Sequence, residues 1–323
     1  MSAQTLELPQ QTQLDANLEK GRIAVTPPIE VPKPAAPEQV KFFVDNGYLT
    51  MEGLVTKDDL EILKADMLKL ARGGYPCESL KPVPADLSDD EVLKQILCVH
   101  QPHFISPVMR QYALHPKICG ALSQIAAAHL PCWDGSVKCM QTMLFVKPPH
   151  FQGQAWHQDE IYIPTRDRSL IGAWIALDDA TIENGCLYVV PGSHRMGYLY
   201  PQRDHNQPDE FDFAGESFGF DENKQVPVVV KAGTVVFFNG YLLHRSFKNR
   251  TDGCYRRVLV SHYMNAWSHL PWSIQDGESP AKADRRAIIP VAGIDPYAWK
   301  GYEQEGKNVW LRTCKAITGK DKR

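Results

Sequence analysis

The sequence predicts a mainly β domain, a sandwich or barrel, with helices packed outside it. Before residue 136 apolar residues recur at helical spacing, whereas beyond it their period moves towards the two residues of a strand. Turn signals then punctuate the chain at Asn184-Gly185, Pro191-Gly192, Ala232-Gly233 and Asn239-Gly240. Many short strands separated by such turns are typical of a sandwich or barrel, and the preceding helices would cover its outside.

Length and composition are those of an ordinary globular protein. The chain has 323 residues, of which 43% are hydrophobic and 23% charged. Its net charge of -3 gives no reason to expect nucleic acid as a partner. No apolar run approaches the roughly 20 residues that span a bilayer. The eight cysteines lack Cys-X-X-Cys spacing and no secretory signal pattern precedes them, which predicts reduced thiols in a cytoplasmic protein.

The N-terminal part of the chain is predicted to form an arm followed by helices. Residues 1–36 are polar and then proline-rich, a composition that predicts a flexible arm. A helix opened by a proline is predicted over Pro37–Asn46, and a strand over Tyr48–Met51. A capping-box pattern at Thr56 begins the next helix, which ends at Gly73-Gly74.

Residues 90–129 are predicted to mix helical segments, with 116–128 the clearest of them. His100 and His103 lie in this region as His-Gln-Pro-His. A proline separates them and no carboxylate is near, so the pattern favours ordinary loop or core histidines over metal ligands.

Seven strands are predicted in the second half of the chain. They cover residues 137–147, 169–178, 186–190, 226–231, 234–238, 242–247 and 257–264. Beyond about residue 270 aromatic and basic residues alternate without clear periodicity. That segment is predicted to pack on the domain, and the pattern assigns it no role.

The stretch Trp-His-Gln-Asp-Glu at residues 156–160 carries the clearest chemical signal. On a strand, His157 and Asp159 would project from one face, because side chains two apart point the same way. With a distant histidine, for which His244 is the candidate, they would form the two-histidine, one-carboxylate triad of non-haem Fe(II) oxygenases. Taken alone, His-X-Asp is common, and a surface or hydrogen-bonding role is the alternative.

A second candidate group follows His244. Ser246 shares its parity and would face the same interior. Arg256 opens the next apolar strand, where a guanidinium is costly to bury unless it meets an anion, and its fork suits a carboxylate. A salt bridge within the protein is the alternative. Parity does not choose between Arg256 and Arg257, because both faces of this strand carry apolar residues.

Several short motifs occur in a fixed order along the chain. They are Gln-Thr-Met-Leu-Phe-Val-Lys-Pro at 141–148, Trp-His-Gln-Asp at 156–159, Ala-Trp-Ile-Ala-Leu-Asp at 173–178, Glu-Asn-Gly-Cys-Leu at 183–187, Val-Pro-Gly-Ser-His at 190–194, and His244 and Ser246 followed by Arg256. In this order the sequence resembles the phytanoyl-CoA dioxygenase-like Fe(II)/2-oxoglutarate oxygenases. The resemblance extends from about residue 37 to about residue 267.

The resemblance implies a fold and a metal site. The family's fold is a double-stranded β-helix, a jelly roll, with N-terminal helices bracing one sheet. Residues 37–270 are accordingly predicted to be the oxygenase domain with its helical support, and 271–323 a C-terminal extension packed on it. The resemblance also implies that His157, Asp159 and His244 hold Fe(II).

The resemblance further implies a site for the co-substrate 2-oxoglutarate. Arg256 and Ser246 would bind its distal carboxylate, which favours Arg256 over its neighbour, and Met143 and Trp174 would line the pocket. With O2, such an enzyme hydroxylates a C–H bond and releases succinate and CO2. Related halogenases carry a small residue at the position of Asp159, so the carboxylate here favours hydroxylation.

The expected substrate is a small molecule, anionic or lipid-like. No basic cluster for the phosphates of CoA is evident, so the resemblance does not extend to an acyl-CoA substrate. Candidate substrate contacts are Arg166, Arg168, Arg195, Arg245, Gln141, Gln154 and Glu160. The alternatives are desaturation, epimerisation or ring closure at the same site, and a non-catalytic jelly-roll binding protein.

Overall fold

Two antiparallel β-sheets lie on opposite sides of a cavity, and helices cover the outer side of the larger sheet. The computed structural model describes residues 24–25, 32–129, 135–268, 288–298 and 309–314. Most of the predicted arm and part of the predicted C-terminal extension lie outside these residues. Within them, no helix is long and apolar enough to cross a membrane.

The elements are numbered along the chain. The helices are α1 (Pro37–Asn46), α2 (Lys57–Ala71), α3 (Asp89–Leu93), α4 (Pro107–Ala113) and α5 (Pro116–His129). The strands are β1 (Ala24–Val25), β2 (Tyr48–Met51), β3 (Ile96–His100), β4 (Val137–Lys147), β5 (Gln154–His157), β6 (Ile171–Ala176), β7 (Leu187–Val189), β8 (Gln202–Arg203), β9 (Glu216–Ser217), β10 (Val226–Val228), β11 (Val235–Asn239), β12 (His244–Ser246), β13 (Arg256–Asn265), β14 (Ile289–Ala292), β15 (Ile294–Asp295) and β16 (Trp310–Thr313). Short 3-10 turns occupy Pro102–Phe104, Asp159–Ile161 and Glu222–Lys224.

The larger sheet has the strand order β16-β3-β4-β13-β6-β11-β2, with β14 beside β4. The smaller sheet has the order β10-β7-β12-β5. Neighbours within each sheet are antiparallel, and many are distant in sequence, as in a double-stranded β-helix. The predicted mainly β fold with flanking helices is confirmed.

Alternation along the central strands divides their side chains between two cores. On β4, Met143 and Phe145 belong to the core between the sheets, whereas Leu144 and Val146 belong to the core under the helices. The outer core joins strand residues to apolar faces of α1, α2 and α5, among them Phe43, Leu63, Met67, Ile118, Leu122, Ile175 and Phe237. Because the helices seal only the outer face, the inner face remains available for a cavity.

The sequence located the first helix and several strands correctly and missed others. The bounds of α1, β2 and β4 agree with the predicted ones, β13 extends one residue further at each end than predicted, and the remaining predicted strands occur over shorter or slightly shifted ranges. Residues 96–100, predicted within a mixed helical region, instead form the fully buried strand β3. A short, continuously apolar run has no period by which strand and helix can be told apart. The aperiodic C-terminal region also contributes strands, since β14 pairs with β4 and β16 with β3.

The two adjacent arginines at the start of β13 have different environments. The Nε and Nη2 atoms of Arg257 donate to the two carboxylate oxygens of Asp178 at 2.7 and 2.6 Å, and its backbone N–H donates at 2.9 Å. This bidentate pair fastens β13 to the end of β6. Arg257 is therefore the structural arginine that the sequence could not distinguish from its neighbour.

Replacing Arg257 with methionine is expected to lower the free energy of unfolding by about 1–3 kcal/mol, because Asp178 would keep its burial and lose its partner. Denaturant titration measures the loss. The control is Arg195→Met, which removes an exposed ion pair to Asp45 and is expected to cost about 0–1 kcal/mol. Equal losses in both variants would contradict the structural role of Arg257.

Candidate active site

Three candidate metal ligands converge at one end of the smaller sheet. His157 ends β5 and His244 begins β12, and antiparallel pairing places the two residues directly opposite each other. Asp159 follows two residues after His157. One donor atom from each side chain lies within 4.8 Å of the others, and all three residues are buried. Within the described residues, this is the group of histidine and carboxylate side chains arranged as a metal site.

Asp159 reaches the site by a different route from the predicted one. The strand ends at His157, and Asp159 opens the 3-10 turn that follows. The expectation that both residues share one strand was therefore wrong, although their side chains do meet. The turn brings a carboxylate oxygen of Asp159 to 3.6 Å from the Nε2 atoms of both His157 and His244.

Both histidines are held in one orientation by their own backbone. The Nδ1 atoms of His157 and His244 lie 2.8 and 2.9 Å from the carbonyl oxygens of Ala155 and Leu242, two residues earlier in each case. A proton on Nδ1 that donates to a carbonyl leaves the Nε2 lone pair free for a metal. Burial, together with the neighbouring His244, lowers the pKa of His157 to about 3. His157 is thus neutral at neutral pH, as a ligand must be.

A third histidine orients the carboxylate. The Nε2 atom of His262, on β13, lies 2.9 Å from the second carboxylate oxygen of Asp159. Burial alone would raise the pKa of Asp159, but the imidazoles of His244, His262 and His157 outweigh burial and lower it. The carboxylate is therefore charged, and its first oxygen faces the two metal-site histidines. His262 was not among the predicted site residues, although it shares strand parity with Arg256.

Arg256 faces the cavity between the sheets without an acidic partner. Its side chain is buried, lies over the ring of Trp174 at 5.5 Å, and within the described residues forms no ion pair with a carboxylate. Its Nε atom has no hydrogen-bond partner in this part of the chain. Burial lowers the pKa of Arg256 to about 10, so the guanidinium remains a cation at neutral pH. A buried cation of this kind is suited to an anion from outside the chain.

The same corner contains a buried lysine that the sequence analysis did not single out. Lys147 ends β4 directly opposite Arg256 in the strand register. Its Nζ atom is 3.4 Å from the hydroxyl oxygen of Ser246 and also donates to the carbonyl of Phe247. Strand parity could have placed Lys147 on the inner face, because it shares a face of β4 with Gln141, Met143 and Phe145.

One cavity of about 890 Å³ contains all of these groups. Its walls include the metal-site residues, Arg256, Ser246, and the predicted pocket residues Met143 and Trp174. Its mouth has a rim of aromatic side chains, Phe151, Tyr162, Phe213 and Trp310. Trp310 belongs to β16, so the C-terminal region that the sequence left without a role forms part of the wall.

The other candidates divide between the cavity and the surface. Gln141, Gln154 and Arg245 line the cavity, and Arg245 is held by Glu222 and Gln225. The remaining four, Arg166, Arg168, Arg195 and Glu160, are absent from its walls. His100, predicted as an ordinary histidine, lies on β3 and lines the cavity, stacked on Trp310 with ring centroids 3.5 Å apart.

Comparison with known proteins gives the family. The family model for phytanoyl-CoA dioxygenase (PhyH) matches residues 43–258, more than half of the chain. The chain belongs to this family. Membership makes it an Fe(II)/2-oxoglutarate-dependent oxygenase and confirms the resemblance seen in its motifs.

The relatives cover most of the chain. The peroxisomal phytanoyl-CoA dioxygenase of Homo sapiens is 29% identical in an alignment of 305 residues that covers 87% of this chain and 82% of the human protein. The phytanoyl-CoA dioxygenase of Arabidopsis thaliana is 27% identical in an alignment of 278 residues that covers 76% of this chain and 95% of the plant protein.

Solved structures share the fold at lower identity. The carbocyclase SnoK from nogalamycin biosynthesis, described as dependent on alpha ketoglutarate, has a TM-score of 0.55 at 24% identity and covers 75% of this chain and 89% of its own. EvdO2 from Micromonospora carbonacea, complexed with 2-oxoglutarate, has a TM-score of 0.55 at 21% identity, and the match covers 76% of this chain and 96% of that one. EctD from S. alaskensis, with bound Fe, has a TM-score of 0.55 at 22% identity, and the match covers 73% of this chain and 79% of that one.

The donor set fits the metal that the family implies. Donor atoms that each lie about 2.1 Å from one ion are about 3–4 Å apart, and the Asp159 oxygen lies 3.6 Å from each histidine nitrogen. Two imidazoles and one carboxylate are the ligands of non-haem Fe(II) oxygenases. The buried, unpaired Arg256 likewise fits a carboxylate of 2-oxoglutarate.

Replacing His262 with phenylalanine is expected to weaken metal binding by about 10- to 100-fold, because Asp159 would lose the hydrogen bond that orients it. Calorimetric titration of the purified protein with Mn(II) measures the affinity. The control is His194→Gln, which changes a buried histidine hydrogen-bonded to the backbone of Val44. An unchanged affinity in the His262 variant would show that Asp159 needs no such support.

Proposed function

We propose that the protein hydroxylates a C–H bond of a small molecule, using Fe(II), 2-oxoglutarate and O2 and releasing succinate and CO2. One observation carries the proposal: a three-ligand metal site shares one cavity with a buried arginine that has no acidic partner among the described residues. A structural metal site needs no arginine beside it, so a non-catalytic jelly-roll protein is the weaker reading.

Each residue has a definite task under this proposal. His157, Asp159 and His244 would hold Fe(II), which supplies the oxidative chemistry once O2 and the co-substrate are bound. Arg256 would bind the distal carboxylate of 2-oxoglutarate through its planar fork. Ser246 would donate its hydroxyl to the same group, and its position two residues after His244 on β12 fixes both on one face.

The shape of the cavity supports a substrate with an apolar body. The aromatic rim offers flat apolar surface on which such a body could pack. Gln141 has an amide oxygen and His100 an imidazole nitrogen that are buried without hydrogen-bond partners in the described chain. They are suited to orient one polar group of the substrate.

The oxidative outcome stays part of the proposal, because SnoK, which shares the fold, is a carbocyclase. Mass spectrometry of the product separates the outcomes: hydroxylation adds one oxygen atom, desaturation or ring closure removes two hydrogens, and epimerisation leaves the mass unchanged. The cytoplasmic location and the domain boundaries at residues 36 and 270 remain predictions.

Replacing His157 or Asp159 with alanine is expected to abolish turnover while the fold is retained, since each change removes one of three metal ligands at a cavity wall. Succinate release from 2-oxoglutarate with Fe(II), with and without candidate substrates, measures turnover, and circular dichroism checks the fold. Substantial succinate formation by both variants would refute the assignment of these residues.

Replacing Arg256 with methionine is expected to weaken 2-oxoglutarate binding by about 2–5 kcal/mol, because one partner of a buried ion pair is removed. Binding to the Mn(II)-loaded protein is measured by calorimetry, together with the affinity for Mn(II) itself, which should change little. Arg257→Met is the matched control. It removes the neighbouring arginine and is expected to lower the stability of the fold while leaving 2-oxoglutarate binding unchanged. Equal loss of metal and co-substrate affinity in the Arg256 variant would give the arginine another role.

A further inference from the structure

Lys147 is a second buried basic side chain beside Arg256. Its side chain is 2% exposed at the end of β4, and the strand register places the two residues directly opposite each other. Its hydrogen bonds go to the hydroxyl oxygen of Ser246 and the carbonyl of Phe247, which carry no net charge. Among the described residues it forms no ion pair with a carboxylate.

The acids nearest this corner are engaged elsewhere. Glu210 pairs with Arg250 at 2.6 Å, and Asp212 pairs with Arg312 at 3.7 Å. Burial, followed by repulsion from Arg256, lowers the pKa of Lys147 well below its ordinary value. Holding two cations side by side in a poorly solvated corner is therefore unfavourable until an anion joins them.

The surrounding backbone is shaped to hold the ammonium group in place. A Cβ atom on Gly185 would lie 2.7 Å from Nζ of Lys147, and Gly185 has φ +79°, which a larger residue would rarely adopt. A Cβ atom on Gly153 would lie 1.8 Å from the carbonyl oxygen of Ser246. Both glycines allow β4, β7 and β12 to approach closely around this corner of the cavity.

We propose that Lys147 is a binding residue for the distal carboxylate of 2-oxoglutarate, and that with Arg256 it makes the cavity selective for 2-oxo acids that carry a second carboxylate. The proposal rests on the proposed function. Since an ammonium group only donates, its bond to the oxygen of Ser246 turns the hydroxyl proton away from Lys147. That proton is then free to be donated to the co-substrate. Lys147 thus acts by charge and by orienting Ser246.

The test compares two ligands on matched variants of the full chain loaded with Mn(II). The ligands are 2-oxoglutarate and 2-oxopentanoate, which has a methyl group in place of the distal carboxylate. The variants are Lys147→Met, Lys147→Gln and Lys147→Arg. The control is Lys138→Met, which changes a buried lysine near the other end of the same strand, outside the cavity walls. Calorimetry gives each dissociation constant, so no substrate is needed.

Loss of the positive charge is expected to weaken the binding of 2-oxoglutarate by about 10- to 100-fold, the range for one charge-assisted hydrogen bond. Binding of 2-oxopentanoate should change by less than about 3-fold, since the group that Lys147 contacts is missing from it. Lys147→Arg should retain most of the selectivity, and Lys138→Met all of it. If Lys147→Met does not fold, the binding of the two ligands is compared in Lys147→Gln instead.

Two results would overturn the proposal. Equal weakening of both ligands would make Lys147 a structural residue, and unchanged 2-oxoglutarate binding would make it irrelevant to the co-substrate. Failure of the proposed function looks different, because the unaltered protein would then bind neither 2-oxo acid.

Discussion

The antiparallel pairing of β5 with β12 is the constraint on which the site depends. It sets His157 opposite His244; the 3-10 turn that follows β5 supplies Asp159, and β12 itself supplies Ser246. The register shifts between His244 and Ser246, where Ser246 pairs with Gln154. A slip of one residue in β5 would turn the imidazole of His157 away from the cavity while His244 stayed in place. The buried small sheet therefore positions the two histidine ligands, and the turn after β5 positions Asp159.

Electrostatics in the cavity are divided between two ends. At the metal end, Asp159 is surrounded by three imidazoles and keeps its charge. At the other end, Arg256 and Lys147 are buried with no acid of their own in the described chain. Burying these two basic groups together is unfavourable for the free protein, and an anion bound beside them, as the proposed function expects, would offset that cost. Binding of metal and co-substrate should accordingly stabilise the fold.

Much of this arrangement was predictable from the sequence. The other features depended on contacts between residues that are far apart in the chain. Periodicity and turn residues gave the β core, and strand parity placed Ser246 with His244. Strand parity did not separate Arg256 from Arg257. What distinguishes them is Asp178, which forms a hydrogen-bonded ion pair with Arg257 and not with Arg256. Lys147 was missed for a related reason: a lysine at a strand end is ordinary until its partner across the sheet is known. The position of His100 in the cavity wall was not foreseen, because β3 has no period of its own.

The place of β16 at the edge of the larger sheet bears on how the enzyme is made. Its residues come after every other element of the cavity in the chain, yet Trp310 closes the wall against His100. During synthesis, the metal ligands and the co-substrate corner emerge from the ribosome well before this wall exists. The wall formed by Trp310 is therefore the last part of the described cavity to be synthesised.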